Sequence, residues 1–169
     1  MSHKSPVLEQ IQKKICSLET ACVQVGQWRE SGQSRVIYTN GVFDLLHRGH
    51  LTYLAQAADL GTHLIIGINS DASVQRLKGK QRPIFDQDTR YLKLASLSFV
   101  DLIIPFVEDT PLLSIEKILP DILVKGGDYL PDEIVGSTAV RSAGGQVLTI
   151  PLEKGLSSTA VINKIKKLK

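Results

Sequence analysis

The sequence is poor in cysteine and in long apolar runs, and each shortage excludes a class of protein. Only Cys16 and Cys22 occur among 169 residues, so a disulfide-rich secreted scaffold is excluded and we expect reduced thiols. The longest apolar runs, such as 64–68, have the length of a strand and are too short to cross a bilayer. The first residues also lack the apolar core of a signal peptide. We therefore predict a cytoplasmic protein that binds no membrane.

Charge and size narrow the possibilities further. The net charge of +3 is too small to indicate a nucleic-acid-binding protein. A hydrophobic content of 43% is ordinary for a globular chain, and the length suits one domain with a sizeable core. We predict an N-terminal helix and linker over residues 1–34 and one domain over residues 35–169.

Strand and helix patterns alternate from residue 35 onward. Apolar, β-branched segments predict strands at 35–39, 63–68, 101–105, 121–125 and 146–150. Apolar stripes at helical spacing predict helices at 6–25, 50–60, 86–97, 111–118, 132–142 and 157–168, with a polar linker at 26–34. This alternation predicts an α/β fold, a Rossmann-like three-layer α/β/α arrangement around a five-stranded parallel sheet. Ligands of such sheets bind at the carboxyl ends of the strands.

The segment from Thr39 to His50 carries the strongest functional signal. A strand runs into it and a helix leaves it, with His47 and His50 flanking Gly49 where the helix begins. Free N–H groups and the positive end of the helix dipole favour an anion there. Imidazoles can donate hydrogen bonds to phosphoryl oxygens, and glycine lets the backbone approach them. The alternatives are a metal-binding pair, helix capping with packing, or a surface accident; we favour phosphate binding.

Further polar segments follow the ends of later strands. Lys125 to Asp128 includes two glycines that allow close approach to a ligand, and 157–159 places three hydroxyls at a helix start, a second possible anion site. Four cations within seven residues predict a mobile clamp on the β- and γ-phosphates: Arg76, Lys78, Lys80 and Arg82. For Lys125 to Asp128 the alternative is a turn that ends the strand, and for 157–159 it is a serine that only caps the helix. For the four cations the alternative is a solvated basic loop.

Five blocks in this order make the chain resemble the nucleotidyltransferase superfamily that carries a His-x-Gly-His motif, over about residues 35–165. Within it the chain is most similar to the heptose 1-phosphate adenylyltransferases of lipopolysaccharide-precursor synthesis. The blocks are Thr39–Gly41, Gly67–Asp71, Arg76–Gly79 with Arg82 and Pro83, Val107–Pro111 and Val124–Tyr129. The resemblance implies the nucleotidyltransferase fold and attack of a sugar phosphate on the α-phosphorus of ATP, with Mg²⁺ accompanying the ATP and no metal site built by the protein.

The residues and the resemblance together imply roles for individual side chains. We expect catalytic roles for His47, His50 and Lys78. We expect nucleotide or phosphate contacts from Thr39, Asn40, Gly41, Phe43, Gly49, Arg90, Gly126, Ser157, Ser158 and Thr159. We expect contacts with the sugar substrate from Asp44, Asn69, Asp71, Arg82, Lys125 and Asp128. For Arg90 the alternative is an ion pair with Asp86 one helical turn earlier.

The chain departs from the cytidylyltransferase pattern at three places. Ser98 to Asp101 lacks an arginine of that pattern, Leu152 replaces another arginine, and Tyr129 replaces a tryptophan. These differences argue for the heptose branch. A cytidylyltransferase acting on glycerol 3-phosphate or another small alcohol phosphate is the alternative enzyme, and a non-catalytic nucleotide-binding regulatory module is the alternative class. We further expect ATP and a sugar 1-phosphate as partners, a separate heptose kinase as the source of the substrate, no nucleic acid and a homodimer.

Overall fold

A five-stranded, all-parallel sheet forms the centre of the fold. The computed structural model describes residues 5–127, 129–152 and 157–168. The strands are β1 (Val36–Gly41), β2 (His63–Asn69), β3 (Leu102–Phe106), β4 (Ile122–Gly126) and β5 (Gln146–Ile150). The helices are α1 (Pro6–Lys13), α2 (Leu18–Glu30), α3 (Arg48–Ala58), α4 (Asp71–Lys78), α5 (Gln87–Ala95), α6 (Leu112–Ile118), α7 (Ser137–Ser142) and α8 (Ser158–Lys166), with a 3-10 turn at Pro131–Glu133. No helix in these ranges is long and apolar enough to cross a bilayer.

Both faces of the sheet are covered, as the continuously apolar strands require. Successive side chains of β1 point to opposite sides. Ile37 packs in one core cluster with Leu54 of α3, and Tyr38 packs in the other with Val25 of α2 and Ile115 of α6. Two helical layers therefore enclose the sheet, and the Rossmann-like prediction is confirmed.

The strand order places a crevice beside the central strand. The order is β3-β2-β1-β4-β5, so the chain first builds outward from β1 through β2 to β3 and then returns to the other side of β1. The direction of winding reverses between β1 and β4. The loops that leave these two strands diverge at that point, which is where open α/β sheets bind their ligands.

The N-terminal segment differs from the single helix that the sequence predicts over 6–25. The helix breaks before Ser17, whose hydroxyl accepts a hydrogen bond from the Thr20 N–H and caps α2. Between α1 and α2 the backbone pairs with edge strand β3: the Ile103 N–H donates to Lys14 and the Cys16 N–H donates to Ile103. Helix α2 then continues into the predicted linker and ends at Glu30. Local periodicity could not reveal this break, because the pairing partner lies far along the chain.

Two further differences lie near the carboxyl ends of the strands. Helix α4 was not predicted, because its exposed face is polar and only Ser73 and Val74 are buried. The predicted helix over 132–142 is shorter, since a 3-10 turn and Gly136 with a φ of 87° precede α7. The remaining strands and helices begin and end within a few residues of the predicted bounds.

Candidate active site

A cleft of about 560 Å³ opens at the carboxyl ends of β1 and β4. Its walls come from the loop after β1, the first turns of α3, the end of α4 and the beginning of α8. Among the residues predicted for the site, the structure places these along the cleft: Asn40, Gly41, Phe43, Asp44, His50, Asn69, Lys78, Lys125, Gly126 and Ser158. Residues from five separate segments of the sequence are therefore brought to one place.

The two histidines stack at the beginning of α3. His47 immediately precedes the helix and makes no side-chain capping bond, so the capping alternative does not explain it. Gly49 is buried in the first turn, and the ring centroids of His47 and His50 lie 3.9 Å apart with an interplanar angle of 23°. Both ring nitrogens of His47 are buried and find no hydrogen-bond partner within the described residues. His47 does not itself line the cleft, so a ligand that accepts hydrogen bonds would satisfy these nitrogens only after the ring turns toward it.

The environment keeps both rings in the neutral form. Burial is the main cause that lowers the pKa of His50 to about 4, with His47 and Lys78 adding to it and the Leu45 backbone opposing it. Burial also lowers the pKa of His47. A neutral imidazole still carries one N–H donor, so the pair can donate to an anion without charge repulsion between the rings.

Phe43 supports His50 from the loop after β1. Its backbone is in the left-handed region with a φ of 46°, which is strained for an aromatic residue. The ring is buried and meets His50 edge to face at 5.4 Å. A Cβ at Gly41 would lie 2.9 Å from the Phe43 ring, so glycine is needed there to leave room for this support.

Thr39 was predicted to contact the nucleotide, but the structure buries it completely. Its hydroxyl lies 2.5 Å from the hydroxyl of Tyr53, which also donates to the Val124 carbonyl. Thr39 therefore links β1, α3 and β4 beneath the cleft. Burial raises the pKa of Tyr53 to about 12, so this link is made by a neutral phenol.

Asp44 and Arg82 were predicted to contact substrate, but they bind each other. The Arg82 Nε lies 2.7 Å from Asp44 Oδ2, and the same carboxylate accepts from the backbone N–H groups of Ile84 and Phe85. Burial alone would raise the pKa of the Asp44 carboxyl, but these N–H groups and the Arg82 guanidinium lower it. Since Asp44 is 2% exposed, its role is to fasten residues 82–85 to the histidine loop.

Arg90 and Asp71 are a second pair that replaces two predicted ligand contacts. Arg90 is fully buried, so it cannot reach a phosphate in this geometry. Its guanidinium donates to the carbonyls of Val42 and Asn69 and to Asp71 Oδ1, each at 2.8 Å. The alternative pair with Asp86 does not form either, because the Asp86 carboxylate accepts from the Thr89 N–H and caps α5.

Lys78 lies at the end of α4 and reaches the cleft near His50. Gly79 follows it with a φ of 89°, which ends the helix. Although the side chain is exposed, loss of water around the ammonium is the main cause that lowers the pKa of Lys78, with Arg82 adding to it and Asp44 opposing it. The ammonium therefore faces the cleft with less hydration than a free surface lysine.

Asn69 and Lys125 lie near the carboxyl ends of β2 and β4, and both line the cleft. Asn69 is 4% exposed and its amide donates to the hydroxyl of Ser73, which in turn donates to the Glu108 carbonyl. The Lys125 ammonium lies 3.2 Å from Asn40 Oδ1. The predicted contact from Asp128 lies outside the described residues.

The hydroxyls at the start of α8 divide between capping and the cleft. Ser157 accepts from the Ala160 N–H and is the N-cap, as the alternative prediction had it. Ser158 lines the cleft and donates to the Leu45 carbonyl, which joins α8 to the histidine loop. Thr159 is exposed and does not line the cleft.

A sequence-family model that matches most of this fold identifies the family of the chain. The family model described as cytidylyltransferase-like matches residues 38–164, from the middle of β1 into α8. The chain belongs to the cytidylyltransferase-like family. This confirms the resemblance stated from the five sequence blocks, and with it the expectation of a nucleotidyltransferase.

Individual relatives of this cytidylyltransferase-like chain are longer. It is 53% identical over 142 residues to the bifunctional protein HldE of Yersinia enterocolitica, covering 84% of this chain and 30% of that protein. It is 52% identical over 139 residues to the bifunctional protein HldE of Cronobacter sakazakii, covering 82% of this chain and 29% of that protein. The chain thus spans less than a third of the length of these curated relatives.

Two solved structures share the fold of this cytidylyltransferase-like chain. A lipopolysaccharide core biosynthesis protein from Thermoplasma volcanium is 31% identical with a TM-score of 0.58, covering 72% of this chain and 98% of the other. A pantoate-beta-alanine ligase from Francisella tularensis has a TM-score of 0.59 at 15% identity, covering 90% of this chain and 77% of the other. The second likeness shows the fold alone.

Several residues of this cytidylyltransferase-like cleft were missed by the site prediction: Tyr53, Asp109, Thr110, Tyr129, Val135 and Leu152. Tyr53 could have been found, because it lies three residues after His50 and so shares its helix face. Asp109 and Thr110 belong to a block used only for family likeness. Within the described ranges, no group of three or more His, Cys, Asp or Glu residues is placed to hold a metal ion.

Proposed function

We propose that this chain is an adenylyltransferase that transfers AMP from ATP to D-glycero-D-manno-heptose 1-phosphate, giving ADP-heptose and pyrophosphate in lipopolysaccharide-precursor synthesis. The observation that carries the transfer chemistry is the stacked histidine pair at the start of α3, in which both ring nitrogens of His47 and Nδ1 of His50 are buried without a hydrogen-bond partner among the described residues. The five sequence blocks and the relative named for lipopolysaccharide core biosynthesis support the substrate.

The reaction needs alignment and charge stabilisation more than covalent help from the protein. An oxygen of the sugar phosphate attacks the α-phosphorus of ATP, a new phosphorus–oxygen bond forms, and the bond to the bridging oxygen breaks so that pyrophosphate leaves with the electron pair. His47 and His50 donate hydrogen bonds to the phosphoryl oxygens on which charge develops. Lys78 offsets the charge of the leaving phosphates, and ATP enters as its Mg²⁺ complex.

Three carboxylates near the cleft are already paired with arginines, which supports a magnesium ion that is held by the nucleotide and not by these side chains. Asp44 is bound to Arg82, Asp71 to Arg90 and Asp109 to Arg76. Oxygens of the triphosphate and water are then the ligands that Mg²⁺ prefers. A homodimer and a separate heptose kinase remain predictions.

The wall of the cleft favours the heptose branch over a small alcohol phosphate. Tyr129 and Leu152, two of the three departures from the cytidylyltransferase pattern, both line the cleft. They replace a tryptophan and an arginine of that pattern, so the contacts offered to the acceptor differ from those of a glycerol 3-phosphate enzyme.

Pyrophosphate release tests the proposal. ATP and CTP are each supplied with heptose 1-phosphate and with glycerol 3-phosphate, and we expect rapid release only for ATP with heptose 1-phosphate. Release with CTP and glycerol 3-phosphate would establish the alternative enzyme. Tight ATP binding without turnover on any of these acceptors would identify a regulatory module.

A further inference from the structure

Lys125 is a cation of the cleft that the reaction scheme above leaves without a specific task. It lies in β4, and its ammonium lies 3.2 Å from the side-chain oxygen of Asn40 and 3.4 Å from the carbonyl of the same residue. Both acceptors are neutral. Within the described residues Lys125 forms no salt bridge, and burial lowers its pKa. A half-buried ammonium without a counter-charge favours an anionic ligand.

The position of Lys125 distinguishes it from the other cations. Arg76, Arg82 and Arg90 are each paired with an aspartate. Lys78 lies close enough to His50 to lower the pKa of that imidazole, so it belongs with the histidine pair. Lys125 lies instead in β4, and its contact with Asn40 joins β4 to β1, the two strands between which the strand order reverses.

The transfer reaction brings two anions together, and the cleft offers two cations without carboxylate partners among the described residues. The triphosphate accounts for the histidine pair and Lys78. The attacking phosphate is mostly a dianion near neutral pH and is repelled by the triphosphate, so a separate cation is needed on its side.

We propose that Lys125, oriented by Asn40, binds the phosphate group of the acceptor sugar 1-phosphate and holds it for attack on ATP. This inference rests on the proposed function for the identity of the acceptor. Lys125 then makes the enzyme selective for acceptors that carry a phosphate group. Asn40 is a positioning residue that acts by orienting Lys125.

The decisive variant is Lys125→Met, which keeps the length of the side chain and removes its charge. We expect the KM for heptose 1-phosphate to rise by about 10- to 100-fold, as loss of a hydrogen bond between charged groups predicts, while the KM for ATP changes by less than about twofold. Lys117→Met is the matched control, because Lys117 is an exposed lysine of α6 that does not line the cleft. We expect both KM values of the control to equal those of the unmodified protein.

A second variant tests the same idea without removing the lysine. Asn40→Asp places a carboxylate beside the ammonium and supplies the missing counter-charge. We expect the same selective loss for the sugar phosphate, with thermal unfolding used to confirm that the variant is folded. A rise in the KM for ATP equal to that for heptose 1-phosphate, or an unchanged KM for heptose 1-phosphate, would overturn the assignment.

Binding of inorganic phosphate separates this inference from the proposed function. Calorimetric titration is performed with the full chain, a non-hydrolysable ATP analogue and inorganic phosphate. Phosphate binding that Lys125→Met abolishes, with analogue affinity retained, supports the Lys125 site even if heptose 1-phosphate is not turned over. Equal phosphate binding by Lys125→Met and the unmodified protein, or no phosphate binding by either, would reject it.

Discussion

Arg90 lies with its guanidinium nitrogen Nη2 2.8 Å from the Asp71 carboxylate, completely shielded from solvent. The same nitrogen donates to the Asn69 carbonyl at the end of β2, and the other terminal nitrogen donates to Val42 just after β1. One side chain therefore fixes the separation between two strand ends that border the cleft. An arginine suits this task because its donors are arranged in a rigid plane.

We predict that Arg90→Met destabilises the fold by about 2–5 kcal/mol, because two backbone carbonyls lose a buried donor at about 1–3 kcal/mol each, while Asp71, whose side chain is 32% exposed, stays partly hydrated. Two carbonyls and a carboxylate would lose their donor together. Urea unfolding measures the change in the free energy of unfolding. Arg76→Met is the control, because the Arg76–Asp109 pair is exposed and should contribute less than about 1 kcal/mol. Similar losses in both variants would contradict the structural role of Arg90.

The sequence singled out Arg90 as a nucleotide contact, whereas in the structure its guanidinium is buried and donates to backbone carbonyls and to Asp71. The contacts that define its role join residues 48, 21 and 19 positions apart, and no local pattern reports such pairs. The same holds for Asp44 and Arg82, which are 38 positions apart. By contrast, the strands were predictable because two-sided burial requires continuous apolar runs. The histidine loop was predictable because its glycine and histidines lie next to each other in the sequence at the beginning of a helix.

We predict that Asp44→Asn weakens the hold on residues 82–85 and lowers turnover. The neutral amide loses the charge that attracts Arg82 and two backbone N–H groups. The change should speed hydrogen exchange of the Ile84 and Phe85 amides, which mass spectrometry detects. Amides of β2 serve as the internal control and should exchange at an unchanged rate. Unchanged exchange at Ile84 and Phe85 would show that the loop is held by other contacts.

We predict that His50→Ala lowers kcat by about 10²-fold or more, because a donor to the transition state is lost. The measurement is pyrophosphate release at saturating substrates. His63→Gln is the matched control, since His63 begins β2 and stacks on Trp28 at 3.9 Å rather than lining the cleft. Its kcat per folded molecule should not change. If His50→Ala retained full turnover, the histidine pair would have no catalytic role.

We predict that the pairing of the N-terminal segment with β3 protects that edge strand. Cys16→Pro removes the N–H that donates to the Ile103 carbonyl, at a cost of about 1–3 kcal/mol for a buried acceptor left unsatisfied. An uncovered edge also promotes association between chains, so sedimentation should reveal larger species. Cys16→Ala keeps the N–H and should lose less stability than Cys16→Pro, since it only trims a side chain that packs on the core. Equal behaviour of the two variants would show that the backbone pairing contributes nothing.

Acid should destabilise the fold through His50. The folded protein holds the pKa of this imidazole at about 4, whereas an unfolded chain titrates near about 6.5. Between these values the unfolded chain binds more protons, so the free energy of unfolding falls as the pH decreases through this window. Burial also lowers the pKa of His47, which adds to the fall. Asp44 adds little there, because its folded pKa lies below the ordinary carboxyl value and its stabilisation is lost mainly at more acidic pH. Urea unfolding at about pH 7, 5.5 and 4.5 measures the slope, and His50→Gln should reduce it. An equal slope in this variant would mean that folding does not lower the pKa of His50, which would contradict the buried, neutral state assigned to this ring.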